Sequence, residues 1–406
     1  MQTPLPPFSR CGRLWLACAS LALSGSYGSL GAMEISADYH VPLTPENALR
    51  GYFSATKKPV LVVPSGATVR IDGGGGISAT RAPAAPGAAG TPAAPAGAPP
   101  PPPSDEAVDA WLKENHVPLT VATSPTLMET LRVMREVKQP KEVRGGHLLV
   151  GPIYVEGAEP GDTLEVRILD VTPRIPYGTE SGGPGRGALP DVVPRPFSFV
   201  VHLDVKRNAA TLEQGVDAQA PWNVEVPLAP FMGVMATCPA DSEGPFRGSG
   251  PPGPFGGNMD CKWLTAGSTL YLPVFQKGGL FYTGDSHAAQ GDGEVTITAI
   301  ETANVCTLQF IVHKGKTLKM PRAETPTHYL TMGMDADLNK AMHQAIMETI
   351  DFLQEKEGYN FFQAYGLASM AVDFHITQDV DKTNGIHGMI PKRLFVNDGN
   401  PYWYRP

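Results

Sequence analysis

The sequence predicts an α+β fold dominated by β structure, with sandwich- or barrel-like β portions and a C-terminal α+β portion. Two observations lead there. Short apolar stretches alternating with polar residues recur through the middle of the chain, divided by turns drawn from its 44 glycines and 41 prolines. Apolar residues at helical spacing dominate the last third.

Taken in order, Val60–Val63 and Ala67–Asp72 read as short strands around a Pro64–Ser65–Gly66 turn, the second running into Gly73–Gly76. Residues 81–103 are almost entirely alanine, proline and glycine and hold no apolar bulk to bury. They predict a disordered or polyproline-II surface insertion at about 77–104. Val108–Val117 and Leu127–Val137 look helical. From Leu148 the pattern returns to strands, with a turn at Glu159–Asp162 and then Leu164, Val166 and Ile168 alternating with Glu165 and Arg167. Phe197–Val205, Trp222–Val226, Leu270–Phe275 and Val295–Ile300 are further strands by the same alternation. Leu338, Met342, Ala345, Ile346, Thr349, Ile350 and Leu353 then fall at helical spacing, with Asp335 and Asp337 before them and Gly358 as the stop. Phe362–Val372 predicts a second helix and Phe374–Val380 a strand. We therefore expect a β-rich catalytic portion over residues 33–320 and an α+β portion over 321–406.

Composition narrows the function. Charged residues make up 18% of the chain and the net charge is −8, with no cluster of lysine and arginine, so nucleic acid is not an expected partner. Arg10 and Arg13 precede the apolar run Leu14–Leu23, and small residues lead to Gly31–Ala32. Residues 1–32 thus read as an export signal, too short for a stable membrane span, and predict a periplasmic or secreted protein. Beyond that segment stand Cys238, Cys261 and Cys306, which allow one disulfide and a free thiol or three buried thiols.

The stretch from Gly256 to Glu301 concentrates the chemistry. Asp260, Asp285, His287, Asp292 and Glu294 share one glycine-punctuated region, the kind of loop setting in which acids and imidazole converge on a metal or a substrate. Asp285 and His287 stand two apart, on one face of an extended segment, and Asp260 closes a turn about one hairpin earlier. We read these three as metal ligands; the alternative is that the acids cap turns and His287 is a hydrogen-bonded loop residue. Glu294 is the general base and acid on this reading, with Asp292 either beside it or simply a turn residue. Gln290 and Asn258 are placed to meet the substrate amide. His147 and Glu156 flank an apolar strand and are read as substrate-binding and catalytic respectively, although Glu156 also suits a turn that accepts backbone N–H bonds. His40 is a further candidate.

The wording of these segments carries a resemblance. FGGNMD (Phe255–Asp260), LYLPV (Leu270–Val274) and GDSHAAQGDGE (Gly284–Glu294) resemble the acetamidase/formamidase family, metal-dependent hydrolases of small primary amides. HLLVGPIYVEGAEPGDTLEVRILDV (His147–Val171), YHVPLTPENALRGYF (Tyr39–Phe53) and the run from Met332 to Lys392 are similar to further blocks of that family, in the same order. The resemblance implies formamide or acetamide as substrate, and ammonia and a carboxylate as products. It also implies the same mix of β-sandwich and α+β portions, and we expect a homo-oligomer. A divalent ion suits the chemistry: zinc for hydrolysis near neutral pH, with manganese or calcium also compatible with one histidine and several carboxylates. The rival readings are a binding protein that kept the fold without turnover, and a hydrolase of some other amide.

Overall fold

The alternating stretches of the sequence form strands, and two open sheets face one another across the largest apolar core. The computed structural model describes residues 35–77, 102–143, 146–212 and 222–396, which belong to one unit beginning at Ile35. The export segment expected at 1–32 and residues 78–101 of the expected insertion lie outside them.

The first described strands are β1 (Tyr39–Val41), β2 (Ala48–Arg50), β3 (Tyr52–Phe53), β4 (Leu61–Val63) and β5 (Thr68–Asp72). Helices α1 (Asp105–Glu114) and α2 (Pro125–Glu136) follow, each begun by a serine cap. Ser104 Oγ accepts from the Ala107 N–H, and Ser124 Oγ from the Leu127 N–H. Next come β6 (Leu148–Val155), β7 (Thr163–Pro173), β8 (Tyr177–Gly182), β9 (Phe197–Asp204), β10 (Ala209–Leu212), β11 (Glu225–Pro227) and β12 (Phe231–Ala236). They are followed by β13 (Arg247–Gly248), β14 (Gly256–Asn258), β15 (Thr269–Pro273), β16 (Phe281–His287) and β17 (Asn304–His313). After β18 (Arg322–Glu324) and β19 (His328–Asp335), α3 (Leu338–Glu357) and α4 (Phe361–Ala371) lead into β20 (Asp373–Gln378) and β21 (Asn384–Pro391). Asp337 caps α3 by accepting from the Asn339 and Lys340 N–H groups, and Gly358 ends it in the left-handed conformation at φ 69°.

One sheet has nine strands in the order β1-β5-β17-β7-β15-β18-β19-β21-β20. The facing sheet runs β14-β12-β16-β6-β2, with β4 added parallel to β6. Val69, Ile71, Val166 and Phe310 from the first sheet pack against Ile153, Met235 and Phe281 from the second, and the rings of Phe281 and Phe310 meet edge-on at 4.9 Å. Each such buried side chain contributes about 1.5–3 kcal/mol. On the outer face of the nine-stranded sheet, α3 and α4 bury Ile350, Leu353, Ala364 and Ala368 against Tyr271, Tyr329 and Ile390. Among the described residues no helix is long and apolar enough to cross a membrane.

Four expectations are corrected or narrowed. The boundary at 320/321 cuts through a continuous sheet, because β18 pairs with β15 on one side and β19 on the other. Val295–Ile300 is a turn and not a strand: Val295 is exposed, Ile297 has φ 70°, and the Ala299 N–H donates to Glu301 Oε1 instead of a ladder partner. In β7 both faces are covered, so Glu165 is buried as well as Leu164 and Val166. It stands opposite Tyr271 and is satisfied by His313 Nε2 at 2.5 Å and Arg167 Nε at 2.6 Å. The sheets also stay open, so the sandwich alternative holds and not the barrel.

The contact between α3 and the sheet is set by Gly333 on β19, where a Cβ would stand 2.1 Å from the Ala341 carbonyl oxygen and 2.5 Å from Ala345 N. Gly333→Ala should therefore cost about 1–3 kcal/mol by overpacking. Urea denaturation measures this, and an unchanged midpoint would contradict the packing described.

Candidate active site

The end of the six-stranded sheet gathers the acids. Strand β16 carries Asp285 and His287, its neighbour β12 supplies a glycine floor at Gly233, and Asp260 follows directly after β14. His287 is fully buried. Its Nε2 lies 3.3 Å from Asp285 Oδ2 and 3.2 Å from Glu301 Oε1, while its Nδ1 lies 3.8 Å from Asp260 Oδ1. The ring is fixed from behind by Phe231, edge-on at 5.0 Å, and Asn304 Nδ2 donates to the carbonyls of both Phe231 and His287. Glu294 arrives from the following loop, and its carboxylate lies within ligand spacing of Asp260 and His287.

The backbone is strained where the acids project. Asp260, Asp285 and Glu294 all occupy the left-handed region, at φ 48°, 57° and 44°. A non-glycine residue held there costs on the order of 1–3 kcal/mol, a strain that clusters at functional sites. At Gly233 the requirement is steric. A Cβ would come 2.4 Å from Asp260 Oδ1, 2.6 Å from Asp285 Oδ2 and 3.0 Å from His287 Cε1.

Electrostatics follow from burial. Burial drives the Asp260 carboxyl well above the usual carboxylate range, and Glu294, Asp381 and Asp285 push it the same way. Glu294 is raised well above its ordinary value for the same reason, with Asp381 the largest neighbouring charge. For Asp285 burial also acts upward, but His147 and His287 outweigh it and hold the acid well below the usual range. Burial would lower the His287 imidazole, and Glu301 with Asp285 outweigh that and raise it. Among the described residues no well-aligned hydrogen bond reaches either oxygen of Asp260, either ring nitrogen of His287 or Glu294 Oε2, and His287 Nε2 has only its close approaches to Asp285 and Glu301. Buried polar atoms without partners, in an acid-rich group of mixed oxygen and nitrogen donors, fit a divalent cation. Asp260, His287 and Glu294 form one set with the right spacing, and Asp285, His287 and Glu301 another.

The remaining expected residues fall in different places. His147 lines a cavity of about 200 Å³ beside Asp285 and Glu301, with Nε2 3.8 Å from Asp285 Oδ2 and Nδ1 3.1 Å from Ser249 Oγ. Gln290 Nε2 donates to the Asp260 carbonyl, and Asn258 Nδ2 donates to Asp381. Asp292 turns away from His287: its Oδ2 meets Lys262 Nζ at 2.9 Å and His375 Nδ1 at 3.3 Å. With His375 and His387 it makes a third donor group, but the Lys262 ammonium already supplies the opposite charge there. Glu156 does not join the site. It is exposed and follows the far end of β6 from His147, about 30 Å away along an extended strand. His40 pairs with Asp72 at 2.9 Å, away from these groups. Among the described residues Cys238, Cys261 and Cys306 are unpaired and buried, and burial pushes the Cys261 thiol up to about 12, which removes it as a nucleophile.

The sequence reading missed Glu301 and Asp381. Glu301 pairs with His287 as an isolated antiparallel bridge, so its signal was a return strand 14 residues on, hidden by the false strand before it. Asp381 lies in the loop between β20 and β21, and nothing local in the sequence points to it.

Comparison with known proteins identifies the family. The model of the Acetamidase/Formamidase family matches residues 132–243 and 249–397. The chain belongs to the acetamidase/formamidase family. A formamidase from Methylophilus methylotrophus is 30% identical over 323 residues, covering 63% of this chain and 78% of that protein. An acetamidase from Mycolicibacterium smegmatis is 27% identical over 295 residues, covering 54% and 71%. The crystal structure of an acetamidase from Bacillus halodurans superposes with a TM-score of 0.65 at 26% identity, covering 89% of this chain and all (100%) of the other. The family's matched segments begin within α2 and take in every site residue from His147 to Asp381.

Gly233 offers a direct check on the geometry. Gly233→Ala should abolish amide hydrolysis while the far-ultraviolet circular dichroism spectrum stays that of the parent. Parental activity in this variant would show that the three side chains do not converge as described.

Proposed function

We propose that the protein hydrolyses small linear primary amides, of the formamide and acetamide kind, to ammonia and a carboxylate, using a divalent cation held by Asp260, Asp285 and His287. Family membership supports the coarser part of this reading, an amidase acting on carbon–nitrogen bonds other than peptide bonds in linear amides. The observation that carries the finer part is the buried, unpartnered donor set around His287. The adjoining cavity of about 200 Å³ supports a small substrate, since pockets for drug-sized ligands start near 300 Å³.

A bound divalent cation supplies polarisation of the amide carbonyl and a lowered pKa for the attacking water, and zinc is our assignment over manganese or calcium. The chain's own groups move the proton. Glu294, ionised once positive charge offsets its acidic neighbours, takes a proton from water and returns it to the departing nitrogen. Gln290 Oε1 and Asn258 Oδ1, both buried without partners, are acceptors available to the amide N–H groups. His147 lines the cavity wall beside Asp285 and orients the substrate there.

Ammonia release from formamide and acetamide, before and after chelation, tests the reading. Chelation should abolish turnover and zinc should restore it, and His287→Ala should lose the cation with the fold intact. Glu294→Gln should keep the cation and lose about a hundredfold or more in turnover, the scale of general-base catalysis. Cation loss in Glu294→Gln would instead make Glu294 a ligand. A cation-loaded protein that releases no ammonia from any small amide would be the binding protein of the rival reading.

The arginine-flanked apolar run before Gly31–Ala32 supports a further proposal, that the protein is exported and its mature form begins near Met33. N-terminal sequencing of the exported fraction checks it. An intact Met1 on active protein in the cytoplasmic fraction would overturn it.

A further inference from the structure

Two loops reach the site, and each sends alternate residues to opposite sides. Asp260 and Glu294 enter the buried group around His287. Lys262, two residues after Asp260, and Asp292, two residues before Glu294, meet outside it as an ion pair of 2.9 Å. Gly293 at φ 95° and Glu294 at φ 44° reverse the backbone between the two carboxylates, which is how one short segment serves both sides. The same Gly293 is stitched to β20: its N–H donates to the Thr377 carbonyl at 3.1 Å, and its carbonyl accepts from the Asp379 N–H at 3.2 Å. His375 on β20 touches Asp292 at 3.3 Å, and its ring lies parallel to that of His387, with centroids 5.3 Å apart and planes 9° from parallel. His387 is itself fixed by Thr377 Oγ1 at 2.7 Å from Nδ1.

We infer that Lys262 and His375 are positioning residues for the reaction, acting through Asp292 to hold Glu294 at the site. The inference rests on the reading of Glu294 as general base. The pair Lys262–Asp292 is partly exposed, at 28% and 25% for the two side chains, so solvent screens it and its contribution to global stability is small. Its leverage is geometric. It ties the loop carrying Asp260 to the loop carrying Glu294, and freeing Asp292 leaves that loop to its backbone bonds, Gly293 to β20 and Glu294 to Gly291 and Ile297, with no side-chain tie to the Asp260 loop. A displacement of a catalytic group by about 1 Å can cost up to about a hundredfold in rate.

A double-mutant cycle on the full chain decides the matter, with kcat and KM on formamide, cation content and melting temperature measured for each variant. Lys262→Met and, independently, Asp292→Asn should lower kcat roughly tenfold or more, with KM, cation content and melting temperature near the parent's. Lys262→Arg should recover most of the loss, and His375→Gln should show a smaller fall of the same kind. In the Glu294→Gln background, Lys262→Met should change kcat by less than about twofold, because both act through one group. Parental kcat in Lys262→Met and Asp292→Asn, or equal fold-losses in both backgrounds, would overturn the positioning role and leave Glu294 as the base. Parental turnover in Glu294→Gln alone would overturn the base assignment and this inference with it.

Discussion

The structure around the site depends on one constraint: several carboxylates share a dry interior with a single fully buried imidazole. Asp260, Asp285, Glu294 and Glu301 all bear on His287, Asp381 adds its charge to Asp260 and Glu294, and Asp260 and Glu294 have no hydrogen-bond donor for their inward oxygens. Isolated like charges in a low-dielectric interior repel strongly, and such groups give up their charge or gather a counter-ion. The raised Asp260 and Glu294 express that repulsion, and the raised imidazole the attraction of the neighbouring carboxylates for its proton. A divalent cation would relieve both at once, which makes the donor set a candidate binding site.

Holding such a group together needs a rigid frame, and the sandwich provides it. Strands β12 and β16 pair in register from Phe231 opposite His287 to Ala236 opposite Tyr282, so Gly233 falls under the side chains that converge. Behind them the core runs unbroken into the nine-stranded sheet, and Asn304 at the start of β17 reaches across to bond the His287 carbonyl. The left-handed strain at Asp260, Asp285 and Glu294 persists because these ladders overdetermine the backbone on either side. Helix α2, which carries no acid of the site, closes the cavity with Thr130 and Met134. A segment without chemistry of its own thus limits what can approach Asp285 and Glu301.

Local pattern was enough for most elements. Helices α1, α2 and α3 and the strands β4, β5, β6, β7, β9, β15 and β20 stand within a few residues of where helical spacing, the Asp337 and Gly358 signals of α3 and alternating apolar residues put them. Alternation misled at Val295–Ile300, where Val, Thr, Ile, Thr and Ala read like a strand while local bonds from Ala299 and Thr296 fold the segment into a turn. It also gave Glu165 a solvent face, where His313 and Arg167 in fact enclose the carboxylate, because period-2 alternation does not report what lies on a sheet's second side.

What the sequence by itself determined is the chemistry available and its nearest-neighbour geometry. Asp285 and His287 share a face because a strand alternates, and Asp260, Gln290 and Glu294 lie close by because tight glycine turns keep the chain local. What only the tertiary structure decided is which acids complete the group. Glu301 joins through a bridge to His287, Asp381 through a loop between two strands of the opposite sheet, and Glu156 is carried away by the length of β6. It also decided that Asp292 faces Lys262 while Glu294, two residues on, faces His287. The physical reason is the same in each case: long-range pairing and a reversed backbone set where a side chain points, and neither leaves a signature in the few residues around it.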